Sequence, residues 1–216
     1  MRLVSILVAG TIFFLLGLVL LVPSASAQKG GTVAILLPGK VGAVPFEFLM
    51  RNRSKIGGAG IETRVTLSPV EAAQIARAEK QKGRKVVFVG FSLGAMRIAK
   101  ALKAGAPADG VVLVSGVLRK AMSGLGSSAK LPPTLIVHHR SDPCEATRSA
   151  DVGAFQQWSG GRARVVWINT HPRPGSSPAG AKQSLLDDPC GPYRAHGFFM
   201  QDSQAVAAIV GFIRSR

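Results

Sequence analysis

Acidic residues are scarce in this sequence, with 11 aspartates and glutamates against 27 lysines and arginines, for a formal net charge of +16. Such a chain attracts polyanions and anionic membrane surfaces, but only weakly here, because the basic residues are scattered with no run of five or more. Motifs for nucleic-acid recognition are absent, so nucleic acid is not expected as a partner and the charge reads as a solvated basic face. Cysteine is nearly absent too, with only Cys144 and Cys190, too few for a cysteine-rich metal framework. No cofactor or metal motif appears, so neither is expected, and the lack of internal repeats excludes a solenoid or propeller.

One long apolar run is present, from Leu3 to Val22, preceded by Arg2 and followed by Ala25-Ser26-Ala27. This is the pattern of a secretory signal over residues 1–27 with a small-residue cleavage site, an uncleaved membrane anchor being the alternative. The mature chain then starts at Gln28, with a charge of 26 − 11 = +15 once Arg2 is removed. Residues 28–216 are enough for a single domain with a sizeable core. Export to the periplasm or beyond also gives the cysteine pair its meaning: in an oxidising compartment Cys144 and Cys190 are expected to form a disulfide.

Short apolar or β-branched runs at Thr32 to Leu37, Ile61 to Leu67, Lys85 to Val89, Val111 to Ser115, Thr134 to His138 and Arg164 to Asn169 read as buried strands. Helical patterns lie between several of them. Ser68-Pro69-Val70-Glu71 combines a capping serine, proline at the first helical position and the glutamate of a capping box, and predicts a helix to about Lys82. Further helices are predicted near Leu93 to Ala104 and Thr147 to Trp158, and a closing amphipathic helix carries Val206, Ile209, Val210 and Ile213 after Asp202. Strands apolar on both faces, alternating with helices, predict an α/β fold with a mainly parallel sheet covered on both faces. Its ligand crevice belongs at the carboxyl ends of the strands.

Gly90-Phe91-Ser92-Leu93-Gly94 falls at such an end, directly between a predicted strand and a predicted helix. The pentapeptide alone is a weak sign, but a strand, tight turn and helix around it is the context of a nucleophile elbow, where the glycines remove side chains that would clash. Ser115, also at a strand end, is the fallback nucleophile and lacks the preceding glycine.

With these residues in place, the chain after its signal resembles the α/β-hydrolase family, whose order is serine, then acid, then histidine. The resemblance implies Ser92 as nucleophile, Asp142 as acid and His196 as general base. Glu145, Asp187 and Asp188 are neighbouring acids, His138 and His139 are expected as satisfied core or rim histidines, and His171 stands at the end of the last strand. The oxyanion donors implied are the backbone N–H of Leu93 and one from the loop after the first strand, Lys40 first and Gly39 next. Pro38-Gly39 stands where the family has a His-Gly pair, which leaves the choice between Lys40 and Gly39 open.

The first strand starts soon after Gln28 and no long insertion separates Leu118 from Leu135, so the sheet is expected to be trimmed at its N-terminal edge and to have no helical lid. The layout is similar to the dienelactone-hydrolase-like branch, which uses cysteine where this chain has Ser92. The function implied is hydrolysis of a small carboxylic ester. The alternatives are a peptidase or acyl-transfer enzyme on the same residues, or a noncatalytic basic binding protein that keeps the fold.

Overall fold

The computed structural model describes residues 30–58, 60–169 and 178–216. The expected signal segment and His171 lie outside the described residues. In chain order the elements are β1 (Thr32–Leu37), α1 (Phe48–Arg51), α2 (Arg53–Ile56), β2 (Ile61–Val65), α3 (Pro69–Gln81), β3 (Lys85–Phe91) and α4 (Gly94–Lys103). There follow β4 (Gly110–Val114), α5 (Leu118–Leu125), β5 (Thr134–His139), α6 (Ala150–Trp158), β6 (Ala163–Ile168), α7 (Gln183–Asp187) and α8 (Asp202–Arg214). The six strands form one sheet in the order β2-β1-β3-β4-β5-β6, every neighbouring pair parallel.

The period-2 alternation of β1 separates two cores. Val33, Ile35 and Leu37 face one side and pack with Ala76 of α3, Ile98 of α4, Leu125 of α5 and Phe155 of α6. Ala34 and Leu36 face the other, against Phe48 of α1, Ile56 of α2 and Ile209 and Phe212 of α8. Both faces are thus covered, which is why the central strands β1, β3, β4 and β5 read as largely apolar runs, whereas edge strand β2 carries Glu62, Thr63 and Arg64. Truncation of a fully buried side chain such as Phe212 to alanine is expected to cost about 3–5 kcal/mol.

Local chemistry explains the start of α3, with one correction. Ser68 Oγ accepts the Glu71 N–H at 3.2 Å as expected, but the reciprocal half of the capping box is made through Thr66. The Ser68 N–H donates to Thr66 Oγ1 at 3.0 Å, and that hydroxyl donates to Glu71 Oε2 at 2.5 Å. Four helices not expected from the sequence are present among the described residues: α1, α2, α7 and α5. The last buries Leu118, Ala121 and Leu125 at helical spacing and packs on α4 as the crossover from β4 to β5. Among the described residues no helix is long and apolar enough to cross a membrane.

Candidate active site

Because all strands run the same way, the loops after β1, β3, β4 and β5 gather at one edge of the sheet. Ser92 is the first residue after β3, and α4 begins two residues later. Its φ of 51° is left-handed, unusual for a residue with a side chain. The turn is held by Ser92 N–H donating to the Val114 carbonyl (2.9 Å) and by Val117 N–H donating to the Ser92 carbonyl (3.1 Å). The two glycines are there for space. A Cβ on Gly94 would lie 1.9 Å from the Leu37 carbonyl oxygen, and one on Gly90 would lie 2.6 Å from Ile98 Cδ1 and 2.7 Å from the Gly94 carbonyl carbon.

Asp142 follows β5, and its buried carboxylate is ringed by donors. Oδ1 accepts the Cys144 N–H at 3.0 Å and Oδ2 accepts the Thr147 hydroxyl at 2.9 Å. His196 Nδ1 lies 3.0 Å from Oδ2 and 3.2 Å from Oδ1. The imidazole, buried to 1% exposure, sits on a tight turn over Ala195–Gly197 with the Phe91 ring 5.0 Å away. That turn is tied down from several directions. Gly197 has no room for a Cβ, which would meet the Pro192 carbonyl oxygen at 2.3 Å. Arg51 donates to the carbonyls of Gly197 and Pro192 and pairs with Asp202 at 3.0 Å. Ser115 Oγ donates to the His196 carbonyl at 2.9 Å, so the hydroxyl of the fallback nucleophile is buried and spent on holding the histidine.

The other candidates separate clearly. Glu145 is exposed, Asp187 accepts from Gln183 at 2.9 Å, and Asp188 accepts the Cys190 N–H at 2.8 Å. His139 Nδ1 accepts the Ser141 N–H at 3.0 Å. His138 is fully buried. Its Nε2 lies 3.6 Å from Asp142 Oδ2 and its ring meets Trp167 edge-on. Burial pushes its pKa down, only partly offset by the Asp142 charge.

Ser92, Leu93, Lys40 and His196 line one cleft of about 280 Å³, walled on the apolar side by Val41, Val117 and Ala146. Among the described residues no acceptor takes the N–H of Leu93 or of Lys40, whereas the Gly39 N–H donates to Glu47 Oε1 at 3.1 Å. Cys144 and Cys190 also line the cleft, their sulfurs 2.00 Å apart, a bonding distance. Thr147, Glu47, Arg51 and Arg97 were not singled out by sequence. Each acts through a contact distant in the chain, and only Glu47, which also caps α1, has a local role besides.

No protein-family model matches the sequence, and no curated protein does. Solved structures do match. Est1E from Butyrivibrio proteoclasticus superposes with a TM-score of 0.59 at 12% identity, over 88% of this chain and 90% of that one. A monoacylglycerol lipase from Paleococcus ferrophilus gives 0.56 at 13% identity over 86% and 96%. A protein assigned to the hydrolases of the alpha/beta superfamily, from Xanthomonas campestris pv. campestris, gives 0.54 at 19% identity over 86% and 99%. The chain has the α/β-hydrolase fold. At these identities the likeness carries the architecture, and the chemistry must be argued from the cleft.

Proposed function

We propose that this protein is an exported serine hydrolase acting on a small carboxylic ester, with Ser92 as nucleophile, His196 as general base and Asp142 as the acid that orients it. The observation that carries the reading is the His196–Asp142 contact at 3.0 Å in the cleft that Ser92 also lines. With Nδ1 engaged by the carboxylate, Nε2 is the ring edge left to take the serine proton, and the carboxylate stabilises the imidazolium that forms. Ser92 Oγ adds to the ester carbonyl carbon, the carbonyl electron pair moves onto oxygen, and the N–H groups of Leu93 and Lys40 meet that charge. The oxyanion collapses as the alcohol leaves with the proton from His196, and water releases the acid by the same steps.

The lipase neighbour supports an ester substrate, and the bonded pair of Cys144 and Cys190 supports an oxidising compartment, to which residues 1–27 would direct the chain. The mature chain from Gln28 is proposed as a single domain. The test is Ser92→Ala, expected to abolish fluorophosphonate labelling and ester hydrolysis while far-UV circular dichroism is unchanged. Undiminished labelling would sink the assignment. If wild-type protein is inert toward esters and amides but binds heparin with a steep salt dependence, it is a basic binding protein instead.

A further inference from the structure

Gly39 is gripped from two sides. Glu47 uses Oε1 to accept the Gly39 N–H at 3.1 Å, while Oε2 accepts the Leu49 and Met50 N–H groups that open α1, at 2.7 and 3.1 Å. On the other side Arg97, from α4, donates through Nη1 to the Gly39 carbonyl at 3.1 Å and to that of Pro38. Glu47 is completely buried, and burial raises its pKa above the usual carboxylate range against the opposing pull of its three N–H donors and Arg51.

Capping α1 does not account for this carboxylate. Serine, threonine, asparagine or aspartate cap a helix with a shorter side chain, and the neutral ones do so without burying a charge. What glutamate adds is reach: one more methylene lets the second oxygen touch Gly39. The consequence falls on the next peptide. In a planar trans peptide the Lys40 N–H points opposite to the Gly39 carbonyl. With that carbonyl held by Arg97 and by the Gly42 N–H at 3.2 Å, and the Gly39 N–H taken up by Glu47, the direction of the Lys40 N–H is fixed, and among the described residues no acceptor takes it in the cleft that Ser92 lines.

We propose that Glu47 and Arg97 are positioning residues that clamp the peptides around Gly39 and aim the Lys40 N–H at the oxyanion formed when Ser92 attacks its ester. This rests on the serine-hydrolase reading above. Glu47 borders the cleft that Ser92 lines and Arg97 lies outside it, and both hold the loop through its backbone. Their effect is on the geometry of a donor whose charge partner exists only after the C–O bond to Ser92 has formed, so it belongs in kcat and leaves substrate binding alone.

Glu47→Gln is close to isosteric, but its amide must turn an NH₂ either to the Gly39 N–H or to the α1 N–H groups, and one set of bonds is lost. Arg97→Lys keeps the charge but replaces the fixed Nη1, which serves both carbonyls, by a freely rotating ammonium on a shorter side chain; half-buried on α4, it carries the test if Glu47→Gln does not fold. Each variant is expected to lower kcat on p-nitrophenyl acetate by about tenfold to a hundredfold. KM is expected to stay within about twofold, and inhibition by phenylboronic acid, which forms a tetrahedral adduct on the serine, to weaken by a factor similar to the kcat loss. Wild-type kcat in the variants overturns the clamp and leaves Glu47 a helix cap, as does a kcat loss that merely follows a falling melting temperature. Fluorophosphonate labelling separates the two levels: an unlabelled wild type sinks the hydrolase reading and the clamp with it, whereas a labelled wild type with fully active variants sinks the clamp alone.

Discussion

Thr147 Oγ1 stands 2.9 Å from Asp142 Oδ2 and 3.1 Å from His196 Nδ1, so one hydroxyl touches both members of the proposed acid–base pair. Thr147→Val keeps the shape and removes the donor, leaving a buried carboxylate oxygen with one bond fewer, at a cost of about 1–3 kcal/mol. Turnover is expected to fall modestly. Asp142→Asn should cost more, because an NH₂ placed among the Cys144 N–H, the Thr147 hydroxyl and His196 Nδ1 meets groups that donate, and the tautomer of His196 is no longer enforced. The expected order of kcat is wild type, Thr147→Val, Asp142→Asn, Ser92→Ala. An Asp142→Asn enzyme as fast as wild type would remove aspartate from the mechanism.

Substrate size follows from the cleft. Its volume of about 280 Å³ lies at the small end for ligand pockets, and α5, which fills the crossover after β4, packs on α4 through Leu118, Ala121 and Leu125. An added methylene contributes about 0.8 kcal/mol only while it is buried. The gain in kcat/KM along a series of p-nitrophenyl esters is therefore expected to stop after a few acyl carbons, with acetate or butyrate preferred to palmitate. A specificity that keeps rising to long chains, or strong activation at a lipid–water interface, would contradict this.

How much of this was legible in the sequence depends on whether a residue's role is local. The strands could be read because both faces are buried, and the chain order set Asp142 ahead of His196, whose Nδ1 lies 3.0 Å from its carboxylate. Strand β3 runs two residues further than its apolar run suggests, since Gly90 and Phe91 continue the ladder opposite Leu113 and Val114. Four-residue α1 was illegible because it has too few turns for a period and is capped by glutamate, an uncommon residue there. Thr147, Glu47 and Arg97 carry no motif: their partners lie 49, 8 and 58 residues away in the chain, and only the folded chain brings them together. The box at Ser68 failed for the same reason in miniature, as the neighbouring Thr66 hydroxyl intervened between Ser68 and Glu71.

His138 sets an acid limit on stability. Burial depresses its pKa in the fold, so the native imidazole stays neutral while the unfolded chain takes up a proton near the ordinary value of about 6.5. The sign is fixed: below that value the unfolded state binds more protons than the native one. The stability tied to neutral His138 is fully present above about pH 6.5 and is lost as pH falls toward the depressed folded value, with a slope of at most about 1.4 kcal/mol per pH unit. Urea unfolding at a series of pH values below 6.5 should show a flatter dependence for His138→Gln than for wild type. Parallel curves would mean that His138 does not carry the effect.

The Cys144–Cys190 pair connects the two loops that matter most. Cys144 stands two residues after Asp142 and gives it a backbone N–H at 3.0 Å, and Cys190 precedes His196 by six residues at the end of a stretch rich in proline, glycine and serine. By chain entropy a bond closing this loop contributes roughly 4 kcal/mol, enough to matter for the whole fold. Position is a separate effect, because displacing a general base by about 1 Å costs on the order of a hundredfold in rate. The two effects separate on heating. If the bond chiefly stabilises, Cys144→Ser with Cys190→Ser should lose activity and far-UV ellipticity at the same temperature. If it positions Asp142 against His196, turnover should already be reduced at temperatures where ellipticity is fully native, and mild reduction of the wild type should reproduce the loss. The second outcome is expected, since the cleft wall includes both cysteines and the tight turn bearing His196 begins only five residues beyond Cys190. Two unmodified thiols in the mass of the protein isolated from its native compartment would remove the premise.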